Sequence, residues 1–120
     1  MKKLDWKKTI IKKNLNISDA VKSLISSQMQ ICLVVDLKGK FYGTITDGDI
    51  RRGFLKGYDL KTPIAKITNE KSLYCNEGVS KELIKEIAIK KAINHVPILN
   101  KKNKISSLFS FQNTAYKIKN

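Results

Sequence analysis

The stretch GTITDGDIRRG, residues 43–53, gathers residue types that could hold an anion. Gly43, Thr46 and Asp49 stand at G-x-x-T-x-x-D spacing, and Arg51 and Arg52 follow, the only two arginines beside 22 lysines. Thr46 can offer a hydroxyl where a strand turns into a helix, and an ionised Asp49, which only accepts hydrogen bonds, suits the paired hydroxyls of a ribose. The guanidinium of Arg51 or Arg52 presents a planar fork of donors that matches phosphate oxygens in a way lysine does not. Gly43 lets a ligand or a neighbouring backbone approach closely. The same spacing has a second meaning. T-x-x-D is also a capping box, in which Thr46 caps a helix and Asp49 returns the bond with no ligand at all. Arginines this close to a helix N-terminus gain nothing from the helix dipole, so their presence points to an incoming anion, and phosphate fits best.

Other constellations carry less. Asp47-Gly48-Asp49 has the D-x-D form of a metal site but no third carboxylate nearby, and Gly48 permits a tight turn. Cys32 and Cys75 lie in or beside apolar segments without a CxxC or Cys/His grouping and read as reduced, small hydrophobic residues. His95 is the single histidine, so no zinc site is expected. No nucleophile and base can be paired, so no catalytic residue is assigned and the chemistry is binding.

The formal net charge of +14 raises the question of nucleic acid. The lysines, however, are spread along the chain, often in pairs such as Lys7-Lys8, Lys12-Lys13 and Lys90-Lys91, and aromatic residues do not alternate with them as a base-stacking platform requires. Nucleic acid is therefore not expected as a partner. The longest purely apolar run, ICLVV at 31–35, is far short of the roughly 20 residues that span a bilayer. Asp5, Lys7 and Lys8 interrupt the place where a signal peptide's apolar stretch would follow. No membrane is expected, and the chain reads as cytoplasmic.

The elements that must position residues 43–53 appear twice. A shift of 64 residues lays VVDLKGKFYGTITDGD (34–49) over ILNKKNKISSLFSFQN (98–113), so that Gly43, Thr46 and Asp49 fall on Ser107, Ser110 and Asn113. Each half predicts an apolar strand, a polar turn at DLKGK or NKKNK, a second strand, and a helix after it. Upstream of the first hairpin, NISDAVKSLISS predicts a helix capped by Asn16, with Ile17, Ala20, Val21, Leu24 and Ile25 on one face. Upstream of the second, VSKELIKEIAIKKA places Val79, Leu83, Ile84, Ile87 and Ala88 similarly, with a slip of one or two residues against the 64-residue offset. Short extended pieces precede both helices, TII at 9–11 and SLY at 72–74, and DIRRGFLKG predicts a short helix with Ile50 and Phe54 inward and Gly57 ending it. The fold class is α+β: two β-α-β-β-α repeats, 1–60 and 61–120, joined near Pro63. A half of this size is marginal alone, which predicts a pseudo-twofold pair with a central cleft where ligands bind.

The repeat together with GTITDGD resembles a tandem CBS domain pair, or Bateman module, over nearly all of residues 6–115. The resemblance implies a regulatory module that binds an adenosine-type ligand (AMP, ADP or ATP), requires no cofactor, and alters a fused or associated enzyme. It implies that Thr46 and Asp49 hold the ribose and phosphate region, with Arg51 or Arg52 near the phosphates and Ile11 and Ile31 among the apolar residues against adenine. It implies a homodimer formed through exposed apolar helix faces. The longer string VVDLKGKFYGTITDGDIRRG is similar to the CBS pairs that precede the catalytic domain of bacterial sugar-phosphate nucleotidyltransferases of surface-glycan biosynthesis. A similar string follows the sugar-isomerase domain of arabinose-5-phosphate isomerases, and a repeat beginning near Met1 favours the transferase. Ser107, Ser110 and Asn113 depart from the motif, which implies one ligand per chain. Alternatives from other classes are a ligand-free structural or dimerisation module, the CBS pair of a sugar-phosphate isomerase, and a basic nucleic-acid binder. A free-standing sensor and the regulatory part of a larger transferase both fit the sequence.

Overall fold

The computed structural model describes residues 4–112. Asn113, and the helix expected after the second hairpin, lie outside the described residues. The chain divides into two compact units, Met1–Ser72 and Leu73–Asn120.

In the first unit the order is β1 (Ile10–Lys12), α1 (Ile17–Ser27), β2 (Ile31–Val35), β3 (Phe41–Thr46) and α2 (Asp47–Leu55). The strands form one sheet in the order β1-β2-β3, with β1 parallel and β3 antiparallel to β2. The central strand reads ICLVV without alternation because all five of its residues are buried. Asn16 caps α1 through a complete capping box with Asp19. The core gathers Ile11, Ile17, Ala20, Cys32, Val34, Ile45, Ile50, Ile64 and Ile67. Fully burying an isoleucine contributes about 1.5–3 kcal/mol, and Ile17, Ile45 and Ile64 are completely covered.

The second unit contains β4 (Cys75–Asn76), α3 (Lys81–Lys91), β5 (His95–Leu99) and β6 (Ile105–Ser110), with sheet order β4-β5-β6 and the same parallel and antiparallel senses. Its core is smaller: Cys75, Ile84, Ala88, Val96 and Ile98.

The offset of 64 holds for the backbone without slip. α1 maps onto α3 end for end, β2 onto β5 and β3 onto β6. The αL residue closing each first helix is Gln28 in one unit and Ala92 in the other. Both hairpins carry a register shift at the end of the central strand, between Val34 and Val35 and between Ile98 and Leu99. In the turns, the Asp36 carboxylate accepts from the Lys38 and Lys40 amides, and the Asn100 side chain accepts from Lys102 and Lys104. Gly39 and Asn103 supply the positive φ each turn needs. What slips is only the apolar pattern of the second helix, where Leu83 is exposed and Ile84 and Ala88 are buried.

Three further expectations are corrected. Ile25 is exposed, because the buried stripe of α1 runs through Ile17, Ala20, Ser23 and Ser27. Ser23 is satisfied by donating to the Lys8 carbonyl at 2.9 Å, and Ser27 by accepting from the Met29 amide at 3.2 Å. Phe54 is also largely exposed, and Gly53 faces inward in its place because Ile67 and Tyr58 fill the space above it. The strand expected at SLY, 72–74, begins instead at Cys75, where the parallel ladder with β5 starts.

Both cysteines are buried and free. Burial pushes the Cys32 thiol up to about 11 and raises that of Cys75. Among the described residues no helix is long and apolar enough to cross a membrane.

Candidate functional site

Position 46 ends β3 and caps α2 with an extended backbone. The Thr46 amide donates to Asp49 Oδ2 at 2.8 Å and its hydroxyl donates to the same oxygen at 3.1 Å, while the Asp49 amide donates to Thr46 Oγ1 at 3.4 Å. The capping-box meaning of T-x-x-D is thus realised. It does not exhaust the carboxylate. Asp49 Oδ1 takes one hydrogen bond, from Arg52 Nη2 at 2.8 Å, and a carboxylate offers about four lone-pair positions in all. One acceptor position on Oδ1 can therefore receive a ligand hydroxyl without breaking the cap.

The two arginines separate. Arg52 joins the Thr46–Asp49 cluster, whereas Arg51 pairs with Asp47 at 3.3 Å, with both side chains mostly exposed. Such surface pairs contribute about 0–1 kcal/mol. The arginines near the helix N-terminus are thus each matched by an aspartate of the same helix, an i,i+3 or i,i+4 partner.

Gly43 serves a neighbouring backbone. A Cβ there would lie 2.5 Å from the Asn69 carbonyl oxygen. The close approach allows Thr44 and Asn69 to exchange backbone hydrogen bonds of 3.2 and 2.8 Å, an isolated bridge that fastens the segment after α2 to β3. Ile31 stands opposite Thr46 in the β2–β3 register, beside the cluster. Ile11 stands opposite Val34 and belongs to the core.

A cavity of about 280 Å³ opens next to Asp49. One wall is the face of α2 that carries Asp49 and Arg52, with its C-cap Lys56; the other is the segment around the 3₁₀ turn Ile64–Lys66, contributing Lys66, Thr68 and Asn69, with Gly53, Tyr58 and Ile67 between. Gly53 keeps the two walls close, since a Cβ there would meet Ile67 Cγ2 at 2.9 Å. Lys66 Nζ sits 5.9 Å from the centre of the Tyr58 ring, within cation–π reach. Lys56, Tyr58, Lys66, Thr68 and Asn69 are site residues that sequence reasoning missed. Lys56 was accessible to it as the i+7 partner of Asp49 on one helix face; the residues after Pro63 reach the site only through the Thr44–Asn69 bridge.

The equivalent place in the second unit is different. Ser110 stands opposite His95 in register, as Thr46 does opposite Ile31. The Ser110 hydroxyl accepts from the Gln112 amide at 3.1 Å, and His95 Nε2 lies 3.3 Å from Gln112 Oε1. Burial lowers the His95 pKa, opposed by the Gln112 contact. Among the described residues no group of three or more His, Cys, Asp and Glu side chains could hold a metal ion.

Residues 7–56 match the family model of the CBS domain. The chain is 27% identical over 103 residues, 85% of its length, to inosine-5'-monophosphate dehydrogenase of Aquifex aeolicus, and it spans about a fifth (21%) of that curated relative. In fold it is similar to a CBS domain protein from Pyrobaculum aerophilum complexed with AMP, with a TM-score of 0.78 and 16% identity, covering 94% of this chain and 85% of that one. It is also similar to the cytosolic domain of the Mg2+ channel MgtE in complex with ATP, with a TM-score of 0.72 and 16% identity, covering 90% of this chain and 44% of that one.

Proposed function

We propose that residues 7–56, a CBS domain of α+β fold, bind an adenosine-type nucleotide and act within a regulatory module. The observation that carries this reading is the Thr46–Asp49–Arg52 cluster at the rim of a cavity lined by cations. Asp49 Oδ1 takes a ribose hydroxyl, and the Arg52 guanidinium takes the first phosphate. Ile31, opposite Thr46, and Ile11 are buried, so with Gly43 they support the site from the frame, and Arg51 from the rim. The AMP and ATP complexes of similar folds support the ligand class.

The module comprises two CBS repeats, 1–60 and 61–120, regulates an enzyme in the cytoplasm, and forms a homodimer through apolar helix surface such as Phe54 and Leu55, which α2 leaves exposed. The string VVDLKGKFYGTITDGDIRRG supports a sugar-phosphate nucleotidyltransferase as the regulated enzyme. The dehydrogenase relative, of which the chain spans a fifth, supports a different catalytic domain in the same position. A second reading has its own observation: the capping box is complete without ligand, as a purely structural module requires.

Calorimetric titration with AMP, ADP, ATP and CTP separates the two. At least one adenine nucleotide is expected to bind, with affinity falling about tenfold or more in Arg52→Ala, the loss expected for one charge-assisted phosphate contact. No heat with any nucleotide would leave the structural module as the better description.

A further inference from the structure

We propose that the cavity beside α2 is a seat for the terminal phosphates of the ligand, so that the site prefers a nucleoside triphosphate to the monophosphate. The inference rests on the nucleotide-binding reading above and assigns new roles to Lys56 and Lys66.

Asp49, Arg52 and Gly53 follow one another at i, i+3 and i+4 along one face of α2, and Lys56, the C-cap residue, continues that line at i+7. Lys56 lies one turn beyond Arg52, about 6 Å further along the axis. Lys66 enters from the opposite wall, its ammonium over the Tyr58 ring. Gly53 places no side chain between them. Arg52 is neutralised by Asp49, but among the described residues neither Lys56 nor Lys66 has a carboxylate partner. Both lysines are exposed, and an anion lying between them would be attracted by both charges.

A single phosphate needs only Arg52, next to the ribose contact. A second and third phosphate continue along α2 into reach of both lysines, whose flexible point charges suit a terminal group of variable orientation. The cavity's 280 Å³ falls just below the roughly 300–1,000 Å³ of pockets that enclose a whole small molecule. That volume suits a phosphate chain, with base and ribose outside it.

The test titrates the chain with AMP, ADP, ATP and inorganic triphosphate at constant ionic strength, and repeats the series with the double variant Lys56→Ala/Lys66→Ala. The expected result is tighter binding of ATP than AMP in the native chain, and a loss of about tenfold or more for ATP alone in the variant. Inorganic triphosphate should compete with ATP in the native chain only. Lys90→Ala/Lys91→Ala, which removes the same charge from α3, should leave ATP binding unchanged. Equal weakening of AMP and ATP, no weakening of either, or the same effect from the α3 variant would overturn the seat while leaving the adenosine site standing. Failure of every nucleotide to bind the native chain would overturn both.

Discussion

From the first helix to the end of the hairpin the two units share a backbone to the residue, and they differ in many of the polar side chains that hang on it. The bounds of α1 and α3, of β2 and β5 and of β3 and β6, the turn hydrogen bonds and the register shift at the end of the central strand repeat at an offset of 64, and β1 has three residues where β4 has two. Yet the first unit has Gly43, Thr46, Asn16 with Asp19, and Asp36 where the second has Ser107, Ser110, Ser80 with Leu83, and Asn100. The geometry of a β-α-β-β frame therefore depends on few side chains, chiefly the apolar central strand and residues that tolerate the turn's positive φ. The remaining positions can carry chemistry specific to one unit while the same frame is kept.

The largest expected break in this equivalence is at Gly43. Gly43→Val drives a side chain into the Asn69 backbone and should cost about 3 kcal/mol, as overpacking does. Ser107→Val, at the exposed equivalent, should stay within about 1 kcal/mol. Urea unfolding measures both, with Trp6, the sole tryptophan, reporting the first unit; similar losses at the two positions would refute the role given to the Gly43 approach.

Next come the helix caps. Asn16 and Asp19 satisfy each other's amides, whereas Ser80 receives only the Leu83 amide, at 3.2 Å, and no side chain returns the bond. Asn16→Ala should cost about 1–2 kcal/mol and Ser80→Ala about 0.5–1 kcal/mol. Amide hydrogen exchange in the first turns of α1 and α3 resolves the two helices, and a larger effect at Ser80 would reverse the ranking.

The smallest effects concern pH and have opposite owners. Hydrogen bonds from the Lys40 and Lys38 amides lower the Asp36 pKa from its usual 3.8, while Asn100 does not titrate. The Asp36 contribution is present above pH 3.8 and is lost as pH falls through the lowered value. The Lys38 and Lys40 amide resonances should therefore move only in strong acid, those of Lys102 and Lys104 should stay still, and Asp36→Asn should abolish the difference. In the second unit, burial lowers His95 from 6.5. Its neutral form stabilises the fold above pH 6.5, and that contribution is lost as pH falls through the lowered value. Thermal melts at pH 7.5 and 5 should thus show an acid loss that His95→Ile, copying Ile31, removes.

The frame was legible in the sequence because its signals are local. Alternation and turn residues mark the hairpins, and Asn16-x-x-Asp19 marks the start of α1. The capping box at Thr46 and Asp49 was legible for the same reason, and the structure adds that Asp49 can cap and still accept a further bond. The sequence did not reveal which face of α2 turns inward, since Gly53 rather than Phe54 is buried only because Tyr58 and Ile67 arrive from later in the chain. The partners of Arg51 and Arg52 stand four and three residues upstream, so both arginines are matched within α2 before any anion arrives. The lysine-lined cavity has no local signal at all on its Lys66 side. Its wall depends on a long-range backbone bridge that a single glycine makes room for.

That bridge also bears on how the first unit is synthesised. When Thr46 has left the ribosome, both strands of its hairpin are free to pair, yet Ile64 and Ile67 of the core and the Asn69 backbone that bridges to Thr44 have not yet emerged. At about 5–20 residues per second, the nascent chain waits on the order of 1–5 s with β3 unpaired along one edge. Arrival of Asn69 occupies that edge at Thr44, so completion of the cavity and partial cover of the exposed edge occur in the same step.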